Sequence, residues 1–185
     1  MDQQMDAVLT QGESQPLAAL AAVRLHHGQP VYQYYGGFAR RDGANTVPVR
    51  QDTLFRIASI SKVVTTIGLM ELVEQGKVNL DHDVSDYLGF TLRNPDFPQT
   101  PITVLMLLNH TSTLRDGDVY VLPPGKSVQD FFDATNKPGS QNYHFSVHDA
   151  HAPGTYFTYC NRCYGLVGTI IERVSGERFD QYQKH

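Results

Sequence analysis

The sequence predicts an α+β fold, and two patterns carry the prediction. Near the N-terminus, Ala18 to Arg24 and Val31-Tyr32-Gln33-Tyr34-Tyr35 are β-prone runs around a glycine-containing break, His26-His27-Gly28-Gln29-Pro30, which reads as a hairpin. Further on come apolar segments with helical spacing, the strongest from Ile60 to Val73. A hydrophobic fraction of 41% and a charged fraction of 18% place the chain among globular proteins rather than disordered ones.

The elements follow in order. Residues 1–15 are a short helix or a frayed tail. After the hairpin, Gly36-Gly37 is expected to end the second strand, Asp42 to Val49 to form a loop, and Leu54-Phe55-Arg56-Ile57 to form a brief third strand. From Ile60, residues Val63, Val64, Ile67, Leu69, Met70 and Val73 give a broad apolar stripe and predict a largely buried helix. Gly76 stands where a helix C-cap glycine would. Val84 to Leu88 is a short helical turn. Ile102 to Leu108 is a buried helix capped near Thr100 or Thr103. Pro123-Pro124-Gly125 and Pro138-Gly139 make the stretch from Asp116 to Asn142 loop-rich, with a helix at Val128–Ala134. Pro153-Gly154 is a turn, Thr155 to Tyr159 is extended, and Asn161 to Val174 is a helix stopped by Gly176.

The chain has 185 residues, enough for one ordinary domain. Fifteen basic against nineteen acidic residues give a formal charge of −4, which argues against a nucleic-acid partner, because phosphates demand a basic patch. No apolar run approaches a membrane span. The N-terminus, Met1-Asp2-Gln3-Gln4-Met5-Asp6, has no basic segment leading into an apolar stretch and as written carries no secretory signal. Two cysteines do not make a disulfide framework.

Ser59-Ile60-Ser61-Lys62 lies where the predicted third strand meets the strongest helix. Ser59 and Lys62 are three apart and share a helical face. An amine beside a hydroxyl takes its proton when the amine is neutral, and burial favours that state. A serine in a first helical turn also has backbone N–H groups near it that suit a developing oxyanion. On these residues alone, a serine cap beside a solvated lysine is the favoured reading. Tyr159, likewise, reads by itself as a half-buried strand aromatic.

Four segments taken together say more. Leu54-Phe55-Arg56-Ile57-Ala58-Ser59-Ile60-Ser61-Lys62 resembles the active-site region of the serine β-lactamase and penicillin-binding-protein superfamily, in its class C β-lactamase-related branch with esterases and D-aminopeptidases. Glu71 to Asp81 resembles that branch's stretch after the nucleophile helix. Thr103 to Ser112 resembles its segment of paired leucines followed by His-Thr-Ser. Pro153-Gly154, Phe157-Thr158-Tyr159-Cys160-Asn161 and Tyr164 to Gly168 resemble its Tyr-x-Asn motif with the following helix. The four stand in family order from about Leu54 to Glu177.

The resemblance implies a β-lactamase/transpeptidase-like fold, an antiparallel sheet flanked by helices plus a mainly helical region. Residues 1–76 would supply N-terminal strands and the nucleophile helix, 77–152 the mainly helical region, and 153–185 the second-motif segment returning to the α/β part. The implied activity is a serine hydrolase cleaving an amide, ester or lactam in a small-molecule or peptide substrate. Ser59 would be the nucleophile that forms an acyl-enzyme. Lys62 would help deprotonate it, Tyr159 would be the phenolic base and proton shuttle, and Asn161 would bond the substrate amide and the lysine. No cofactor is implied. The branch often works outside the cytoplasm.

The chain also departs from the pattern. Thr113 stands where a glycine commonly follows His-Thr-Ser, and Cys160 stands where a serine is usual. No Lys-Thr-Gly or His-x-Gly triplet follows Asn161, and members of the branch run to about twice this length, so the chain reads as the N-terminal half of the fold. The alternative is then a non-catalytic fragment or binding protein that retains a degenerate site, with an open apolar face and a tendency to form homo-oligomers.

Other signals read as structural. Cys160-Asn161-Arg162-Cys163 lacks a second pair for zinc, so its cysteines are taken as small helix-packing residues. His144, His148 and His151 could share a helical face, but Ser146, Asp149 and Pro153 suggest a loop and no metal site is assigned. Gly125-Lys126-Ser127 lacks the first glycine and leading strand of a phosphate loop. Asp81, Asp83 and Asp86 read as a solvated turn. Ser112 reads as a cap after His110.

Overall fold

The computed structural model describes residues 1–11, 16–43, 45–117, 121–135 and 151–184. The chain divides into two compact units, Met1–Arg56 and Ile57–His185.

The first unit holds helix α1 (Asp2–Gln11) and strands β1 (Ala19–His26), β2 (Gln29–Asp42) and β3 (Asn45–Pro48), in an antiparallel sheet of order β1-β2-β3. His27 and Gly28 both have positive φ, 48° and 76°, the conformation that lets a two-residue turn match strand twist. The predicted hairpin is therefore present, but three details differ from expectation. β2 does not end at Gly36-Gly37. It passes through them, pairing Gly37 with Ala19 and Phe38 with Pro48, and so changes partner at that point. Gly37 has φ +80°, and a Cβ there would run into the Ala18 carbonyl, so glycine permits the crossover rather than stopping the strand. The expected loop at Asp42–Val49 contains β3. Its proline sits at the strand's end on an edge, where a missing N–H is tolerated. Leu54 to Ile57 forms no strand, and Leu54 is 97% exposed; four β-prone residues without a ladder partner gain nothing from extension. α1 is tied to β2 by the Tyr32 hydroxyl donating to Asp2 Oδ1 at 2.8 Å and the Tyr34 hydroxyl donating to Asp6 Oδ1 at 2.6 Å.

The second unit starts with a 3₁₀ turn (Ala58–Ile60) that runs into α2 (Ser61–Glu74). Then come α3 (Val84–Leu88), α4 (Val104–Leu108), α5 (Val128–Thr135), α6 (Asn161–Ser175) and α7 (Phe179–Tyr182). The centre is α6, which packs against α2, α3, α4 and α7. Its Leu166, Val167, Ile170 and Ile171 repeat at helical spacing and are fully or almost fully buried. Each such side chain is worth about 1.5–3 kcal/mol of transfer free energy. Leu69 and Leu72 of α2, Leu88 of α3 and Leu107 of α4 meet them in one core. Gly176 at φ +76° ends α6 as expected, and Thr103 caps α4, accepting from the Met106 N–H.

α2 is not the largely buried helix its composition predicts. Only Thr65, Leu69 and Leu72 are buried, while Val63 is 60% and Ile67 65% exposed. Its apolar residues spread round the whole helix, and the second unit's core takes up one side of it. Thr155–Tyr159 joins no sheet; it is tied to the α4 side by two backbone bonds, Gly154 N to Thr111 O and Thr158 N to His110 O, both 2.8 Å. Among the described residues no helix is long and apolar enough to cross a membrane.

Candidate active site

The path into the site is strained at one residue. Ala58, immediately before Ser59, has φ +44°, a left-handed conformation that an alanine adopts at a cost of about 1–2 kcal/mol. It turns the chain into the 3₁₀ turn that carries Ser59, and Lys62 follows one turn later in α2. Tyr159 and Asn161 come from the other side of the cluster. Tyr159 is among the last extended residues before α6, and Asn161 is the first residue of that helix.

All four residues predicted from the sequence meet. Lys62 Nζ donates to Ser59 Oγ at 3.1 Å and to Asn161 Oδ1 at 2.8 Å. Ser59 Oγ and the Tyr159 hydroxyl are 2.9 Å apart. The ammonium also lies 4.9 Å from the Tyr159 ring centroid and 5.4 Å from that of Tyr164, within cation–π range. Ser59 and Tyr159 are exposed and Lys62 is half-buried, so the hydroxyl pair faces solvent while the cation sits behind it. The hydrogen bonding and charge of Lys62, with the bond to Ser59, hold the Tyr159 phenol below its ordinary value of 10.0; the Asp116 carboxylate acts in the opposite sense.

Two supporting residues escape the sequence reading. His110 falls in a matching segment that gives it no task. It is buried, has φ +61°, and grips both flanks of Tyr159. Its carbonyl accepts from the Thr158 N–H at 2.8 Å and its Nδ1 from the Cys160 N–H at 3.3 Å. Its ring lies 4.5 Å from the Tyr159 ring. Asp116 accepts from the Asn161 backbone N–H at 2.9 Å, from the Arg162 N–H at 3.1 Å and from Asn161 Nδ2 at 2.6 Å. An aspartate between Arg115 and Gly117 shows no periodicity or spacing from which to infer this.

The neighbouring signals resolve locally. Cys160 and Cys163 are buried free thiols, and Cys160 does more than pack: it is the N-cap of α6, its Sγ accepting from the Cys163 N–H at 3.1 Å. The bond to Cys163 and burial together push the Cys160 thiol up. Ser112 Oγ accepts from the Leu114 N–H at 3.3 Å, in keeping with a cap. Thr113, where a glycine is usual, has φ +67° and is held by Asn94 Nδ2 donating to its Oγ1 at 3.0 Å. Asp83 caps α3 and pairs with Arg93. Of the three clustered histidines, His144 and His148 lie outside the described residues; His151 stacks on Tyr156 with 4.5 Å between centroids.

Similar proteins carry related chemistry. The D-alanyl-D-alanine-carboxypeptidase/endopeptidase AmpH of Escherichia coli K12 is 30% identical over 162 residues, which is 88% of this chain and 40% of AmpH. Esterase EstB of Burkholderia gladioli is 30% identical over 184 residues, covering 94% of this chain and 45% of EstB. This chain thus spans less than half the length of these curated relatives. Among solved structures, the D-amino acid amidase of Ochrobactrum anthropi SV3 superposes with TM-score 0.72 at 26% identity, over all of this chain and 48% of the amidase. The octameric penicillin-binding protein homologue of Pyrococcus abyssi gives 0.69 at 26% identity, over 90% of this chain and 36% of that one. A family model described as Beta-lactamase matches residues 3–184. With that match nearly end to end, and relatives that include a peptidase, an esterase and an amidase, the chain belongs to the beta-lactamase family of serine hydrolases and has its β-lactamase/transpeptidase-like fold.

Proposed function

We propose that this protein hydrolyses an amide, ester or lactam in a small-molecule or peptide substrate through an acyl-enzyme on Ser59. The observation that carries the reading is the unbroken chain of contacts from the Tyr159 hydroxyl through Ser59 Oγ and Lys62 Nζ to Asn161 Oδ1, each link 2.8–3.1 Å long. The Tyr159 phenolate takes the Ser59 proton as Oγ attacks the substrate carbonyl carbon. The proton then passes from Tyr159 to the leaving nitrogen or oxygen as the carbonyl–heteroatom bond breaks. Water, deprotonated in turn by Tyr159, attacks the acyl carbon. As the bond to Ser59 Oγ breaks, Tyr159 returns that proton to Oγ, releasing the acid and restoring the phenolate. Lys62 keeps its positive charge beside the phenolate and steadies it. The backbone N–H of Ser59 is one donor to the oxyanion. Asn161 holds Lys62 through Oδ1 and bonds the substrate amide.

In the whole protein, residues 1–76 and 153–185 contribute to the α/β part and 77–152 to the helical region. The exposed apolar residues Ile60, Val63, Val64 and Ile67, together with the octameric homologue, support self-association.

The test is covalent labelling. Incubated with a fluorescent penicillin or an activated ester, the protein should gain the acyl mass on Ser59, and Ser59→Ala should abolish it. Labelling that survives in Ser59→Ala overturns the assignment of the nucleophile. A folded wild-type chain that takes up no label supports instead a binding protein with a degenerate site.

A further inference from the structure

We propose that Asp116 is a positioning residue for the Ser59 centre: its carboxylate sets which end of the Asn161 side-chain amide faces Lys62. This rests on the reading of Ser59 and Lys62 given above. A side-chain amide has an acceptor end and a donor end, whereas a lysine ammonium only donates and an ionised carboxylate only accepts. Asn161 lies between one of each. With Nδ2 bonded to Asp116 at 2.6 Å and Oδ1 to Lys62 at 2.8 Å, every group meets its complement. The flipped amide would set donor against ammonium and acceptor against carboxylate, losing both bonds.

The carboxylate is itself held fast. Its Oδ1 accepts from the backbone N–H groups of Asn161 and Arg162, at 2.9 and 3.1 Å. These belong to the first turn of the fifteen-residue α6, where unsatisfied donors and the helix dipole both favour negative charge. Asp116 is thus fixed by backbone and passes that order outward: through the Asn161 amide to Lys62, and through Lys62 to Ser59. Bonds to charged groups are worth more than neutral ones and set geometry more sharply.

A role limited to capping α6 would stabilise the fold without touching the chemistry. Loss of a positioning role also slows acylation of Ser59. Among the described residues, the titratable groups around Tyr159 are Lys62, Asp116, His110, Tyr164 and the Cys160–Cys163 pair, and of these the Asp116 carboxylate opposes the phenolate. Removing its charge should lower the Tyr159 midpoint.

The experiment uses the full chain with Asp116→Asn. Two quantities are followed: the rate at which Ser59 takes up a fluorescent penicillin, and the titration of Tyr159 by ¹³C NMR of its labelled ring. Labelling is expected to slow about ten- to hundredfold, and the Tyr159 midpoint to move down. Asp83→Asn, which removes a helix-capping carboxylate remote from the site, should lower stability and leave both quantities unchanged. If Asp116→Asn is too unstable to study, the exchanged pair Asp116→Asn with Asn161→Asp replaces it. In that pair the amide introduced at position 116 can donate to the carboxylate introduced at position 161, whose other oxygen still accepts from Lys62. The pair should label faster than Asn161→Asp alone, which sets two carboxylates face to face. Wild-type labelling rate in folded Asp116→Asn, or an exchanged pair no faster than Asn161→Asp, overturns the proposal. Ser59→Ala separates the two readings: if it still labels, the nucleophile is wrong, and if it does not while Asp116→Asn behaves as wild type, only the role of Asp116 is wrong.

Discussion

Tyr159 shows how little of a residue's chemistry is intrinsic. A phenol ordinarily stays protonated near neutrality, and here a neighbouring ammonium and a serine hydroxyl favour its ionised form. On the proposed mechanism the phenolate is the active species, so acylation should rise with pH through a midpoint below that of free tyrosine. Lys62→Gln removes the main favourable influence and should move that midpoint up. The deficit of this variant is then large near neutrality and shrinks as pH rises. A profile of labelling rate against pH checks this, and an unshifted midpoint in Lys62→Gln would exclude the phenolate as base. The sequence could name Ser59, Lys62, Tyr159 and Asn161 because each sits in a short segment that resembles a family motif. His110 and Asp116 act across 49 and 45 positions, on Tyr159 and Asn161, through tertiary contacts, and a single sequence holds no record of such pairings.

Among the elements, α3 is small enough for its cap to matter greatly. Its five residues fall well short of an independently stable helix. Asp83 accepts from the Ser85 N–H at 2.9 Å and pairs with Arg93. Burial pushes the Asp83 carboxyl up, but the bonds to Arg93 and Ser85 outweigh it and hold it below its ordinary value of 3.8. A lowered folded pKa means stabilisation that is full above the unfolded value and lost as pH falls through the folded one. Asp83→Ala should therefore cost about 1–2 kcal/mol near neutrality, measured by urea melts. The two proteins should converge as acid protonates the wild-type carboxyl below pH 3.8. A difference that persists undiminished there would assign the effect to packing instead. Helices with a clear stripe and a stop signal, such as α6 with Gly176, are legible from the sequence to within a residue or two. The strands are less so. β2 and β3 depart from expectation at Gly36-Gly37 and at Asn45–Pro48, because glycine and proline mark ordinary breaks and also mark crossovers and sheet edges. Leu54 to Ile57 departs for the opposite reason, since β-propensity describes a fit to neighbours and no neighbouring strand is present among the described residues.

For the molecule as a whole, every residue of the candidate site belongs to the second compact unit. The fold class is legible because four motifs occur in one order, a constraint far stronger than any one of them. The burial of α2 is not, because composition cannot say how much of an apolar helix its surroundings cover. A helix with Val63 and Ile67 more than half exposed is a surface that tends to find a partner. Sedimentation velocity over a range of concentrations should show association, and Ile67→Glu should shift the distribution toward monomer. An unchanged distribution in Ile67→Glu would remove α2 from the interface. The two thiols give the same molecule a gauge of its own motion. Cys160 and Cys163 are wholly sealed in the native state and flank Asn161, so an alkylating reagent reaches them only when the first turn of α6 opens. The rate of their modification in folded protein therefore clocks how often the candidate site comes apart, with no substrate needed to read it.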